Sequence, residues 1–204
     1  MLATAQVEDL LEDSTLAAMF RARKHVFVDL LGWDVPVLAG TYEVDQFDDE
    51  HAIYVVLSGP GGEHRASARL LPTVRPHILD TLFPALCEAP SPCGPDIFEI
   101  TRFCLSRDLN AADRRSVRNQ LISALVGIAL DRGIRSYVGV AEIGWLQQIL
   151  AFGWRCAPLG LPRIVKGRML GALRIDIDEE TPNLLAMNGV YAASQATHAV
   201  PVMA

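Results

Sequence analysis

Two stretches of this chain gather the residues best suited to acid–base chemistry. One is Ile97-Phe98-Glu99-Ile100-Thr101-Arg102-Phe103-Cys104-Leu105, an apolar run with a single acid and a single base inside it. The other holds Glu43, Asp45, Asp48, Asp49 and Glu50. β-Branched and aromatic residues make the first stretch a strand, with Pro95 before it and polar Arg107-Asp108 after it. A strand this apolar is expected to be buried on both faces. Side chains alternate along a strand, so Glu99 and Thr101 share one face while Arg102 leaves from the other. A buried charge without a partner costs several kcal/mol, so each needs a counter-charge or a substrate. Glu99 reads as facing a reaction cleft and Arg102 as part of an ion cluster. The alternative is a pair of purely structural ion pairs.

The elements that must position these residues can be read on either side. Residues from about Ser14 to Leu31 form a first helix, with Asp13 or Ser14 at its N-cap and Leu16, Phe20, Phe27 and Leu31 as its apolar stripe. Arg23 falls on that stripe, and an Arg facing a core requires an acidic partner. The acidic segment after Gly32-Trp33 is the source of partners for both Arg23 and Arg102; the competing reading is a solvated loop. His51–Ser58 and His64–Leu71 form a hairpin about Gly59-Pro60-Gly61-Gly62, with Arg65, Ser67 and Arg69 on one face. A short helical turn spans about Ile78 to Phe83. Asn110–Arg132 is the longest helix, buried along Val117, Leu121, Leu125 and Ile128 and ended by Gly133. Ile134–Ala141 is a strand, 143–152 a helix, and 153–158 and 169–177 are strands.

Half of the 204 residues are hydrophobic and the net charge is −6. That composition suits one globular domain and argues against nucleic acid as a partner. Sixteen of the 18 basic residues are Arg, which favours specific pairing with carboxylates and phosphates. No run has the length of a membrane span and no signal segment opens the chain, so a cytoplasmic protein without a membrane partner is expected. The four cysteines have no metal-ligand spacing, and no metal or cofactor is expected. The element order implies an α/β fold: a single three-layer αβα domain over residues 1–180, with a mixed central sheet, and a peripheral tail over 181–204. Phosphate-loop, dinucleotide, HExxH and nucleophile-elbow motifs are absent. What remains is carboxylate chemistry beside an Arg-rich helix start.

Arg23-x-x-x-Phe27, Trp33, Glu43-x-Asp45-Gln46-Phe47-Asp48, Arg69, Phe83 and Glu99-x-Thr101-Arg102-Phe103 stand in the order that marks one family. Over about Arg23 to Phe103 the chain resembles the acyl-homoserine-lactone synthases, the LuxI-type autoinducer synthases of quorum sensing. It departs from them at Phe98, where Trp or Leu is usual. The resemblance implies a GNAT-like fold with a mostly antiparallel sheet. It also implies a reaction in which an acyl group, carried on acyl carrier protein or coenzyme A, passes to the amine of S-adenosylmethionine. The methionine carboxylate then displaces methylthioadenosine and closes the lactone. Glu99 is then the candidate general base, with Arg102 beside it as a catalytic candidate. Backbone N–H groups of a distorted strand are candidates for the oxyanion. Arg23, Asp45, Asp48, Arg69 and Arg102, with Phe27, Trp33, Phe83, Thr101 and Phe103, would shape the S-adenosylmethionine pocket. Phe27 and Trp33 either pack on adenine, face the sulfonium or are plain core. Ala141 lies where some members carry a Thr associated with 3-oxo acyl chains, which points to a chain unsubstituted at C3.

Arg114, Arg115 and Arg118, in the first turns of the long helix, are candidates for the anionic acyl donor, or else a solvated face paired with Asp113. The rival enzyme reading is a generic GNAT-type acyl-CoA N-acyltransferase. It would carry a glycine-rich pyrophosphate loop where this chain has Arg114-Arg115-Ser116-Val117-Arg118-Asn119. The non-enzymatic reading is a binding module that has kept the pocket.

Overall fold

The computed structural model describes residues 11–192 and 198–201. In chain order the elements are α1 (Ser14–Arg23), a π-helical segment (Lys24–Leu30), β1 (Val37–Leu38), β2 (Tyr42–Glu43), β3 (Ile53–Ser58), β4 (His64–Pro72), α2 (Ile78–Leu82), a 3-10 turn (Pro84–Leu86), β5 (Ile97–Leu105), α3 (Ala111–Arg132), β6 (Ser136–Glu142), α4 (Ile143–Leu150), β7 (Arg155–Pro158), β8 (Arg163–Val165), β9 (Arg168–Asp176), α5 (Thr181–Met187) and β10 (His198–Pro201). The fold is mixed α/β with a central mixed sheet. Its described residues form two compact units, one holding the chain up to Arg69 with Arg102–Leu121 and β10, the other holding Leu70–Thr101 and the chain from Ile122.

In the first unit, α1 starts where the Asp13 carboxylate accepts from the Thr15 and Leu16 amides at 2.7 and 3.2 Å. The single helix expected to Leu31 instead changes to π geometry after Arg23. A π turn carries an extra residue and rotates the positions after it about the helix axis. The apolar stripe therefore holds at Leu16, Phe20 and Phe27 but leaves Leu31 exposed. The acidic segment after Gly32-Trp33 contains the β1–β2 ribbon, with Val37 opposite Glu43. β3 is buried on both faces from Ile53 to Leu57, and β10 pairs with it antiparallel. Helix α3 is capped by Asn110, whose Oδ1 accepts from the Ala112 and Asp113 amides, each at 3.0 Å.

In the second unit, β5 and β6 run parallel from Ile97↔Ser136 to Glu99↔Val138. β6, β7 and β8 all pair antiparallel with β9. Antiparallel pairing thus dominates, as the family resemblance implied. α3 ends at Gly133, whose φ of 69° lets the Ile134 amide reach back to the Ala129 carbonyl at 2.8 Å. Leu79, Leu86, Val138 and Ala172 form a core, with Phe83, Val140 and Leu170 packed on it. Within the stretch expected as a tail, α5 buries Thr181 and Leu185.

Strand β5 departs from the expectation of burial on both faces. Glu99, Thr101 and Cys104 are buried while the other positions are partly exposed. The buried set skips Phe103 because Arg102 has a φ of 51°, a left-handed conformation that inserts a bulge and slips the alternation by one residue.

Candidate active site

The last residue of α1, β2 with the turn after it, β4 and β5 bring six charges of the first unit together. Arg23, which is 0% exposed, donates from Nε to Glu43 Oε2 at 2.6 Å and grips Asp48 with both terminal nitrogens at 2.8 and 2.9 Å. Arg69 grips Asp45 in the same two-pronged way at 2.7 and 3.1 Å, and its Nη1 also lies 2.6 Å from Asp48 Oδ1. Arg102 completes the set, with Nη2 at 2.9 Å from Glu43 Oε1 and 2.6 Å from Asp45 Oδ2. Three guanidiniums therefore face three carboxylates. Forked pairing of this kind is the strong form of the interaction, since both carboxylate oxygens are used. Sequence reasoning named five of the six as one network. Glu43 was read as part of the acidic segment and of the family motif but not as a member of the network, although it bridges Arg23 and Arg102.

The turn Asp45–Asp48 is locked by the same acids. Asp48 Oδ2 accepts from the Asp45 amide at 2.8 Å, Asp45 Oδ1 from the Phe47 amide at 2.9 Å, and Tyr54 donates to Asp48 Oδ1 at 2.9 Å. Burial alone would push the Asp48 carboxyl up, but the Arg23 and Arg69 guanidiniums override it and hold the group far below the usual range. Asp45 is lowered against its own burial in the same way, chiefly by Arg69. The Tyr54 phenol is raised by burial and by the neighbouring Asp48 charge.

Aromatic rings cover the cluster. Phe27 and Trp33 stack with centroids 4.6 Å apart, and Arg102 lies 5.6 and 5.8 Å from the two ring centres. The cation over these rings is thus a protein guanidinium. Val26, Phe27 and Cys104 form the apolar floor beside Trp33, whose indole Nε1 is buried with no hydrogen-bond partner among the described residues. A cavity of the same unit is lined by Arg21, His25, His64, Ser106, Arg107 and Asp108, none of them a member of the cluster.

Glu99 and Thr101 belong to the second unit. Glu99 is 0% exposed, and its Oε2 accepts the Ile78 amide at 2.8 Å, at the start of α2. The residue before, His77, donates its own amide to Asp80 Oδ1 at 2.8 Å and lies with Nδ1 2.9 Å from the Arg75 carbonyl. A backbone donor on one oxygen fixes the carboxylate's orientation. Phe83 leads into the 3-10 turn and packs on the unit's core, and Ala141 is buried on β6 opposite Gly171. Phe103 is half-buried, on the first unit's side of the bulge.

The Arg-rich helix start is only partly open. Arg114 donates to the Ser106 carbonyl at 2.9 Å, Arg118 wraps Asn119 Oδ1 at 2.8 and 3.1 Å, and Arg115 is exposed. Burial and the nearby Arg115 charge lower the Arg118 pKa. Asp113 accepts from Asn110 Nδ2 at 2.8 Å.

Known proteins resemble this chain over nearly its whole length. The family profile described as autoinducer synthase matches residues 8–185. The acyl-homoserine-lactone synthase of Ralstonia solanacearum is 35% identical over 187 residues, covering 88% of this chain and 89% of that protein. The isovaleryl-homoserine lactone synthase of Bradyrhizobium diazoefficiens is 30% identical, covering 90% of this chain and 82% of that protein. Among solved structures, the CoA-dependent acyl-homoserine lactone synthase BjaI, with SAM and isopentyl-CoA, superposes with a TM-score of 0.81 at 30% identity, over 93% of this chain and 89% of its own. A Lactobacillus plantarum protein described as an N-acetyltransferase shares the fold at a TM-score of 0.58 and 16% identity, over 81% of this chain and 93% of its own. With the profile spanning nearly the whole chain and the arginine–carboxylate cluster in place, the chain belongs to the autoinducer synthase family, the acyl-homoserine-lactone synthases.

Proposed function

We propose that this chain acylates the amine of S-adenosylmethionine from an acyl thioester and releases an acyl-homoserine lactone and methylthioadenosine. The observation that carries this reading is the complete six-charge cluster under the Phe27–Trp33 stack. BjaI, with SAM and isopentyl-CoA, and TofI, in a ternary complex with an inhibitor and MTA, are the solved relatives that support it. The cluster's own charges balance, so it shapes a pocket without competing for the zwitterionic substrate, and the Trp33 indole N–H is a donor waiting for an acceptor. Glu99, reached directly or through water, takes the proton that the α-amine must lose before its nitrogen attacks the thioester carbon. The thiolate leaves with the carrier. The substrate carboxylate oxygen then attacks the carbon next to the sulfonium, closing the ring as methylthioadenosine departs. Both leaving groups are built into the substrates, so the reaction needs no cofactor.

The donor's phosphates are assigned to Arg114, Arg115 and Arg118 at the start of α3. The ladder between β5 and β6 ends at Glu99↔Val138, and β6 beyond it, with Ala141, is assigned to the donor's amide-bearing arm and acyl chain. Both substrates are intracellular metabolites, and the proposed setting is the cytoplasm. The test is direct: purified protein with S-adenosylmethionine and a panel of acyl thioesters, on carrier protein and on coenzyme A, read by mass spectrometry for lactone and methylthioadenosine. Absence of both products across the panel overturns the reading.

A further inference from the structure

We propose that Asp80 is a positioning residue for the base of the reaction: it holds the His77 amide at the start of α2, and thereby sets the Ile78 amide that anchors the Glu99 carboxylate. The step rests on the reading above, in which Glu99 takes the proton of the amine. All four residues belong to the second unit. Helix α2 has five residues, fewer than an isolated helix needs to persist, so side chains at its start and beneath it must hold it in place. Beneath it, Leu79 is buried against Leu86, Val138 and Ala172. At its start, amides without an acceptor inside the helix find carboxylates instead. Asp80 reaches back three residues, as in a capping box, and its Oδ1 accepts the His77 amide at 2.8 Å. The next amide, that of Ile78, goes to Glu99 Oε2, also at 2.8 Å. His77 is extended, with φ −137° and ψ 177°, so these successive amides point to opposite sides of the chain. One faces a carboxylate whose side chain is 40% exposed, the other a carboxylate that is 0% exposed. A single residue therefore couples an outer acid to the buried base.

The outer end is held from several directions. Asp80 Oδ1 also accepts from Thr81 Oγ1 at 2.8 Å and lies 3.3 Å from His77 Nδ1, which stands 2.9 Å from the Arg75 carbonyl. The inner end sits among apolar side chains. On its face of the β5–β6 ladder Glu99 has Ile97 beside it and Val138 across from it, and neither offers a hydrogen bond. The last torsion of a glutamate is soft, so the plane of the carboxylate follows the Ile78 amide. A base has to stand within hydrogen-bond reach of the proton it takes, and a misplacement of about 1 Å can cost about 100-fold. Among the described residues Asp80 bonds to neither Glu99 nor any member of the charge cluster. Its effect on turnover has to pass through His77 and Ile78.

Asp80→Ala and Asp80→Asn test this, each made in the native chain and in Glu99→Gln. Asparagine keeps the Oδ1 acceptor and loses the charge. Steady-state kinetics with saturating acyl donor are read beside amide hydrogen exchange at Ile78 by NMR, which needs no turnover. Asp80→Ala should lower kcat about 10- to 100-fold, with KM for S-adenosylmethionine within about twofold of native and Ile78 exchange faster by about tenfold. Asp80→Asn should bring kcat and exchange back to within about threefold of native. In Glu99→Gln the same Asp80→Ala change should remove nothing further, since no base is left to place. Equal falls in both backgrounds would make Asp80 a residue of the fold alone and overturn the proposal. So would native kcat in Asp80→Ala, unchanged exchange at Ile78, or a loss that asparagine does not restore, which would give the effect to charge. If the native protein turns over no donor, the acyl-transfer reading fails and exchange decides the coupling by itself: faster exchange in Asp80→Ala but not in Asp80→Asn upholds it, and unchanged exchange sinks it.

Discussion

Replacing Arg23 by Met should unbalance the charge cluster without leaving a hole. The side chain is fully buried, and its three hydrogen bonds, at 2.6, 2.8 and 2.9 Å, all go to carboxylates. Without it three acids face two arginines, and Asp48 keeps only Arg69, Tyr54 and one amide. Breaking a buried pair from one side costs about 3–5 kcal/mol, because the remaining charge stays out of water. At roughly 2–4 °C per kcal/mol for a chain of this size, the melting temperature should fall by roughly 6–20 °C. Asp48→Asn should lose a comparable amount by leaving an excess cation. The double variant restores neutrality with two arginines and two acids, so its loss should be smaller than the sum of the single losses by at least about 1.5 kcal/mol. Urea unfolding of the four proteins of this cycle measures the coupling. Additive losses, or an Arg23→Met protein that melts within about 2 °C of the unchanged chain, would refute the account of a closed, mutually dependent cluster.

Glu99→Gln keeps the shape and the Ile78 contact but removes the base, so steady-state turnover should drop about 10²–10⁴-fold while the thermal melt moves little. Neutralising Arg114 and Arg118 should raise KM for the acyl donor and flatten its salt dependence, leaving KM for S-adenosylmethionine nearly unchanged. His64 is buried beside Ser67, and burial lowers its pKa from 6.5 to about 4. Between those values only the unfolded chain takes up the proton, so stability that is full above about pH 6.5 is lost as the pH falls toward 4, by roughly 3 kcal/mol over the window. A His64→Gln protein followed by urea unfolding across that range should lose this slope.

Most of the fold was legible because its elements obey one rule at a time. The run from Ile97 to Leu105 has strand propensity throughout, and α3 has both a capping Asn110 and a terminating Gly133. The π segment was not legible. Lys24–Leu30 carries the same helical periodicity as the turns before it, and only the tertiary environment around Phe27 and Trp33 selects the wider turn. The short strands β1, β2 and β8 were missed for a related reason: two or three residues cannot show a period, and their pairing is decided by the partner strand. In the site, a lone Arg on an apolar stripe predicted acidic partners. It could not say which of five clustered acids would turn inward, because Glu43, Asp45 and Asp48 differ from Asp49 and Glu50 only in how the turn is closed.

Arg102 shows where period-two reasoning fails and why the failure is informative. Alternation correctly set Arg102 apart from Glu99 and Thr101, but it assumed one regular strand through Leu105. A non-glycine residue in the left-handed region costs of order 1–2 kcal/mol, so nothing in the local sequence recommends it at this position. The surrounding charges do. With φ at 51° the guanidinium reaches Glu43 from two nitrogens, at 2.9 to 3.1 Å, and Asp45 at 2.6 Å, while its plane lies beside Phe27 and Trp33. Hydrogen bonds between ionised groups contribute about 1.5–3 kcal/mol each, enough for a few of them to outweigh the backbone strain. The bulge is therefore a product of the cluster, and the cluster draws on Glu43 and Asp45, more than fifty residues earlier in the chain. A distortion stabilised at that sequence distance leaves no trace within the nine residues of β5, except that the strand contains an arginine at all.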